Sequence, residues 1–98
     1  MALNGVTFDG CRESDGTMLE AKGPGYAWAM RGPDQWMDNY DGLPDIMKQA
    51  AAQSEAAAGR AIEWHFAEQP VADYFRDAFA KNKWNNITVI YTPYGGGK

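Results

Sequence analysis

The sequence predicts one mixed α/β (α+β) domain over residues 1–98, a mixed sheet with a β-hairpin and flanking helices. Three observations carry this. The 98 residues, 45% hydrophobic and 13% aromatic, suffice for one core and are too few for two. Apolar residues recur with period two in some segments and with helical spacing in others. Read in order, those segments run strand, strand, helix, strand, helix, strand, with no repeat and no linker.

Residues 4–10 (NGVTFDG) and 17–22 (TMLEAK) form the hairpin, separated by Arg12-Glu13-Ser14-Asp15-Gly16 with its Asp-Gly turn signal. Residues 23–41, broken by Gly and Pro and carrying Tyr26, Trp28, Trp36 and Tyr40, form a long structured loop with room for a helical turn. Pro44 and Asp45 open a helix that an Ala-rich run carries to Ala58 and Gly59 ends. Residues 61–67 (AIEWHFA) alternate as a strand, Ile62, Trp64 and Phe66 on one face and Glu63 and His65 on the other. Pro70 opens a second helix with Val71, Tyr74, Phe75, Ala78 and Phe79 at helical spacing, and residues 87–92 make a last strand stopped by Pro93. The tail 95–98 is expected to be disordered.

Thirteen acids against nine Lys and Arg leave a net charge of -4, which argues against a plain nucleic-acid-binding module. It argues less against an enzyme whose acids hold a divalent cation, because the ion reverses the local field. The single cysteine, Cys11, excludes an intramolecular disulfide and a cysteine-based zinc site. The first ten residues lack a targeting pattern, and no apolar run approaches the ~18 residues of a membrane span, so a soluble chain without a membrane segment is expected.

Glu20 and Lys22 stand two apart in the second hairpin strand and therefore share a face, outside the apolar core. Asp9 joins them if the turn has two residues, which pairs it with Lys22, or four, which pairs it with Glu20. A three-residue loop sends it to the other side unless a bulge restores the phase. Two carboxylates and an ammonium on one face suit phosphodiester hydrolysis: Asp9, Glu20 and the carbonyl of Ala21 supply hard oxygens to Mg²⁺ (or Mn²⁺), and Lys22 orients water and stabilises charge on phosphorus. The competing reading is a solvated hairpin face with a cross-strand ion pair.

The runs Gly5-Val6-Thr7-Phe8-Asp9-Gly10, Met18-Leu19-Glu20-Ala21-Lys22-Gly23-Pro24-Gly25-Tyr26 and Ile62-Glu63-Trp64-His65-Phe66-Ala67-Glu68 occur in this order. In them the chain resembles the fifth restriction-endonuclease-fold toxin family of bacterial polymorphic toxin systems, within the PD-(D/E)xK nuclease superfamily. The resemblance implies a restriction-endonuclease-like sheet and a metal-dependent DNA endonuclease, with catalytic acids at Asp9 and Glu20 and a catalytic lysine at Lys22. It further implies the C-terminal part of a longer secreted effector, carried by a secretion apparatus of the type VI kind through a region N-terminal to this chain. Such an effector acts in the cytoplasm of the target cell and is neutralised in the producer by a cognate immunity protein. An inactive nuclease-fold binding module and a housekeeping repair or restriction nuclease are the alternatives.

Gln53, in register with Ile46, Ala50 and Ala57, lies on the inward stripe of the first helix; it either leans into the metal site or marks the edge of the core. Gln49, one turn earlier, is a weaker version of the same case. His65, the only histidine, either contacts phosphate or acts as an acid with Glu63 beside it, or is a polar residue of a half-exposed strand. The four loop aromatics serve base stacking, a protein contact or anchoring of the loop. Arg60, Arg76, Lys81 and Lys83 are candidate phosphate contacts against a default of solvated helix charge.

Overall fold

The computed structural model describes residues 2–32, 35–37, 40 and 42–93, so the tail 95–98 lies outside the described residues. The first segment is not the single strand expected. Asn4 and Gly5 take φ of +51° and +84°, the left-handed pair that a tight hairpin turn requires, and fold β1 (Ala2–Leu3) onto β2 (Val6–Thr7). Asn4 Nδ2 also donates to the carbonyl of Ala56 at 2.7 Å, tying this small hairpin to the first helix. Phe8, 1% exposed, then draws the chain into the core.

Beyond it, β3 (Gly10–Cys11) runs antiparallel to β4 (Met18–Lys22), with Gly10 opposite Leu19 and Cys11 opposite Met18. The Arg12 amide donates to Thr17 O at 2.8 Å and the Gly16 amide to Arg12 O at 2.7 Å. The turn thus has four residues, 13–16. The loop after β4 carries a 3-10 turn at Ala27–Ala29 and a second small hairpin of β5 (Met30–Gly32) and β6 (Gln35–Trp36). Trp36 anchors it: its ring stacks on Tyr40 at 5.3 Å and meets Tyr74 and Phe75.

The remaining elements are α1 (Gly42–Ala57), β7 (Ile62–Phe66), α2 (Gln69–Lys81) and β8 (Ile87–Tyr91). Helix α1 starts two residues before Pro44 and stops where Ala58 and Gly59 turn to φ of +52° and +91°. Pro70 occupies the first turn of α2, where its missing N–H costs nothing. The main sheet has the order β3-β4-β7-β8, with β4, β7 and β8 parallel.

Because the chain steps β4, β7, β8 in one direction, two right-handed crossovers put both helices on the same face. The contacts agree: Gln53 of α1 reaches Glu20 and Trp64, and Phe75 and Phe79 of α2 lie against Phe66 and Trp64. Met18, Ile62, Trp64, Phe66, Ile87 and Val89 are buried beneath them, while Leu19, Glu63, His65 and Ile90 on the other face are only partly covered. Burying each large side chain of this core contributes about 1.5–3 kcal/mol. None of the helices among the described residues is long and apolar enough to cross a membrane.

Candidate active site

Parallel register sets Glu20 beside Trp64 and Lys22 beside Phe66, so both charged side chains point under the helices. Glu20 is 4% exposed. This corrects the expectation that it stands outside the core: the hairpin face bearing it is the face that α1 and α2 cover.

Burying a carboxylate is costly unless its oxygens are satisfied, and here both are. Gln53 Nε2 donates to Oε1 at 3.1 Å and Gln49 Nε2 to Oε2 at 2.8 Å, while Lys22 Nζ lies 3.1 Å from Oε2. Lys22 also donates to Gln49 Oε1 at 2.7 Å and stands 5.2 Å from the Trp64 ring centroid, a cation–π arrangement. Gln53, with no exposure at all, accepts from Trp64 Nε1 at 2.9 Å and donates to the carbonyl of Thr7 at 3.2 Å. Helical spacing of four residues stacks Gln49 above Gln53, so one face of α1 delivers both amides to one carboxylate. Trp64 is the member that sequence reasoning missed. Its signal was an indole N–H on a strand face that otherwise buries hydrocarbon.

Asp9 stands apart from this cluster. The β3–β4 ladder ends at Gly10, and Asp9 sits at a bend, exposed, with its amide on Leu19 O at 3.0 Å. Its Oδ2 accepts from the Ala21 amide at 2.8 Å. The Lys22 carbonyl is taken by the Ala67 amide at 3.0 Å on the β7 side. Main-chain groups alternate sides along a strand, so the Ala21 carbonyl points, like its amide, to the edge that Asp9 occupies. The donors are hard oxygens, which fit a small divalent cation in kind. Among the described residues no three His, Cys, Asp or Glu side chains gather as a ready metal cluster.

His65 is on the opposite, uncovered face, so the structure does not bring it into the Glu20 cluster. Its Nδ1 meets Thr92 Oγ1 at 2.8 Å and its Nε2 meets Glu63 Oε1 at 3.0 Å, while Glu63 also binds Arg12. The Arg12 hydrogen bond, and after it that of His65, holds the Glu63 carboxyl below the usual carboxylate range. At the carboxyl ends of β4, β7 and β8 a cavity of about 250 Å³ opens where Ala21 and Lys22 meet His65 and Thr92. A second cavity, about 540 Å³, lies away from these residues, between Met30, Arg31, Pro70 and Asp73.

The other candidates have structural partners. Arg60 donates to Gly16 O at 2.8 Å, Arg76 pairs with Asp73 and caps the Val89 carbonyl, and Lys81 pairs with Asp77. Lys83 holds a left-handed turn, φ +62°, behind α2. Of the aromatics, Trp36 and Tyr40 fasten the loop, and Tyr40's hydroxyl is pushed up by burial and then by nearby Tyr26 and Glu68. Trp28, 65% exposed, meets Tyr40 edge-on.

A family description, restriction endonuclease fold toxin 5, matches residues 1–69. The matched stretch runs from β1 through β7 and contains Asp9, Glu20, Lys22, Gln49, Gln53 and His65. No curated protein matches the chain.

Proposed function

The chain belongs to the restriction endonuclease fold toxin 5 family, a family of nuclease toxins, and from that membership we propose that it hydrolyses phosphodiester bonds of DNA with the aid of Mg²⁺ or Mn²⁺. The observation that carries the reading is the buried Glu20 carboxylate, held by two amides and a lysine at the covered end of β4. An apolar core gains nothing from such a group.

In this reading Asp9, Glu20 and the Ala21 carbonyl would hold the ion, Asp9 from the edge beside β4 and Glu20 from the covered face. A divalent cation held there would supply Lewis-acid polarisation of the phosphoryl oxygen and a more acidic water. Lys22 would orient the attacking water and stabilise the charge that develops on phosphorus. One P–O bond would form from the water oxygen, which gives up a proton to solvent, as the bond to the departing sugar oxygen breaks, and the leaving oxygen would take up a proton from solvent. Gln49 and Gln53 keep Glu20 in place. Parallel sheets take ligands at the carboxyl ends of their strands, so the phosphodiester is assigned to the cavity there, with His65 touching it from the uncovered face.

In the same reading the domain is the tail of a secreted effector that acts in the cytoplasm of a competitor. A cognate immunity protein covers the cleft or the aromatic loop 23–41. Purified protein should nick supercoiled plasmid with Mg²⁺, stop nicking when the metal is chelated, and lose activity in Asp9→Ala. Plasmid left intact with both Mg²⁺ and Mn²⁺ would overturn the proposal.

A further inference from the structure

Among the inward residues of β7, Ile62, Trp64 and Phe66, only Trp64 carries a polar atom. An indole N–H donates and cannot accept, so the Gln53 atom 2.9 Å from it is the amide oxygen. That settles the rest of the amide. Its NH₂ faces Glu20 Oε1 at 3.1 Å and Thr7 O at 3.2 Å. Turned over, Gln53 would set donor against donor at Trp64 and acceptor against acceptor at both oxygens, with no solvent to relieve either. Lys22, also only a donor, orients Gln49 in the same way from the other side. The carboxylate is thus gripped by two amides whose directions are chosen by their outer partners.

We propose that Trp64 is a positioning residue: through its indole N–H it orients the Gln53 amide, and through that amide the Glu20 carboxylate. The consequence for cleavage rests on the nuclease reading; the consequence for Gln53 does not. Outer partners of metal ligands commonly change metal affinity or activity by roughly 10- to 100-fold when removed. The ring must be kept while the N–H is deleted, because Trp64 is also core and lies against Phe66 and Phe79.

The test is Trp64→β-(3-benzothienyl)alanine, which replaces the N–H by sulfur in a ring of the same shape, made in wild-type and Gln53→Leu backgrounds. In metal-free protein, NMR should show the Gln53 side-chain NH₂ exchanging with solvent roughly fivefold faster, the worth of one net hydrogen bond, while the Gln49 NH₂ is unchanged. The Mg²⁺ concentration for half-maximal nicking should rise in the wild-type background and not rise further in Gln53→Leu. Unchanged Gln53 exchange overturns the inference. So does an equal effect in both backgrounds, which would mean that Trp64 acts by packing alone. A wild type that nicks nothing sinks the nuclease reading instead, and the exchange measurement then decides the role of Trp64 by itself.

Discussion

The two faces of the main sheet carry similar polar residues under different physical conditions. On the covered face Glu20 and Gln53 are buried and Lys22 and Gln49 half-buried, and the four form a network in which each partner limits the others, because an unpaired group there meets little water. On the uncovered face Arg12, Glu63, His65 and Thr92 form a comparable chain of contacts, but solvent reaches its members and can replace any one of them. One residue step along β7, from Trp64 to His65, passes from the first condition to the second. The difference teaches that exposure, more than residue type, decides which of these charged groups is held rigidly enough for chemistry.

The largest expected effects lie on the covered face. Glu20→Ala deletes a proposed ligand and strands two amides and Lys22 in a buried site, so cleavage should fall by at least about 10²-fold. It should also cost about 3 kcal/mol of stability, as when one partner of a buried pair is removed. Lys22→Ala should lower kcat by roughly 10²- to 10³-fold with metal affinity near wild type. Calorimetric metal titration beside plasmid nicking and chemical denaturation checks both. A Glu20→Ala protein as stable as wild type would break the comparison.

His65→Ala sharpens it from the other side. The residue touches the cavity without joining the cluster, so KM should rise by about fivefold, the worth of one net hydrogen bond, with kcat held. A kcat loss of the size expected for Lys22→Ala would place His65 in the chemistry and erase the distinction between the faces.

The smallest effect concerns Glu63. Its carboxyl is held below the ordinary range by Arg12 and then His65, so its contribution is present above the unfolded-state pKa of about 4.3 and is lost as pH falls through the depressed folded value. At pH 7 Glu63→Gln should melt no more than about 5 °C below wild type, the range of an exposed ion pair in a chain of this size. That gap should close on acidification below pH ~4. A gap that widens in acid would contradict the assignment of the ionised form.

Much of this was legible in the sequence, because periodicity and turn chemistry are local. The 61–67 alternation, Pro70 at the head of the second helix, and Gly59 behind the Ala-rich run each specify an element from neighbouring residues alone. Asn4-Gly5 was equally legible, a turn signal of the same kind as Asp15-Gly16, and it splits the segment 4–10. Period two also put Glu20 and Lys22 on one face, as helical spacing put Gln53 on the inward stripe of its helix. It left open the length of the Asp9–Glu20 connection, since two- and four-residue turns preserve the same alternation. Nor does alternation reveal which face of a sheet the helices cover. That follows from the direction and hand of the crossovers, which depend on pairings between distant segments, Met18 with Ile62 and Ile62 with Ile87. Only that packing buries Glu20 and gives Trp64 an amide to orient, and it also leaves His65 on the uncovered face.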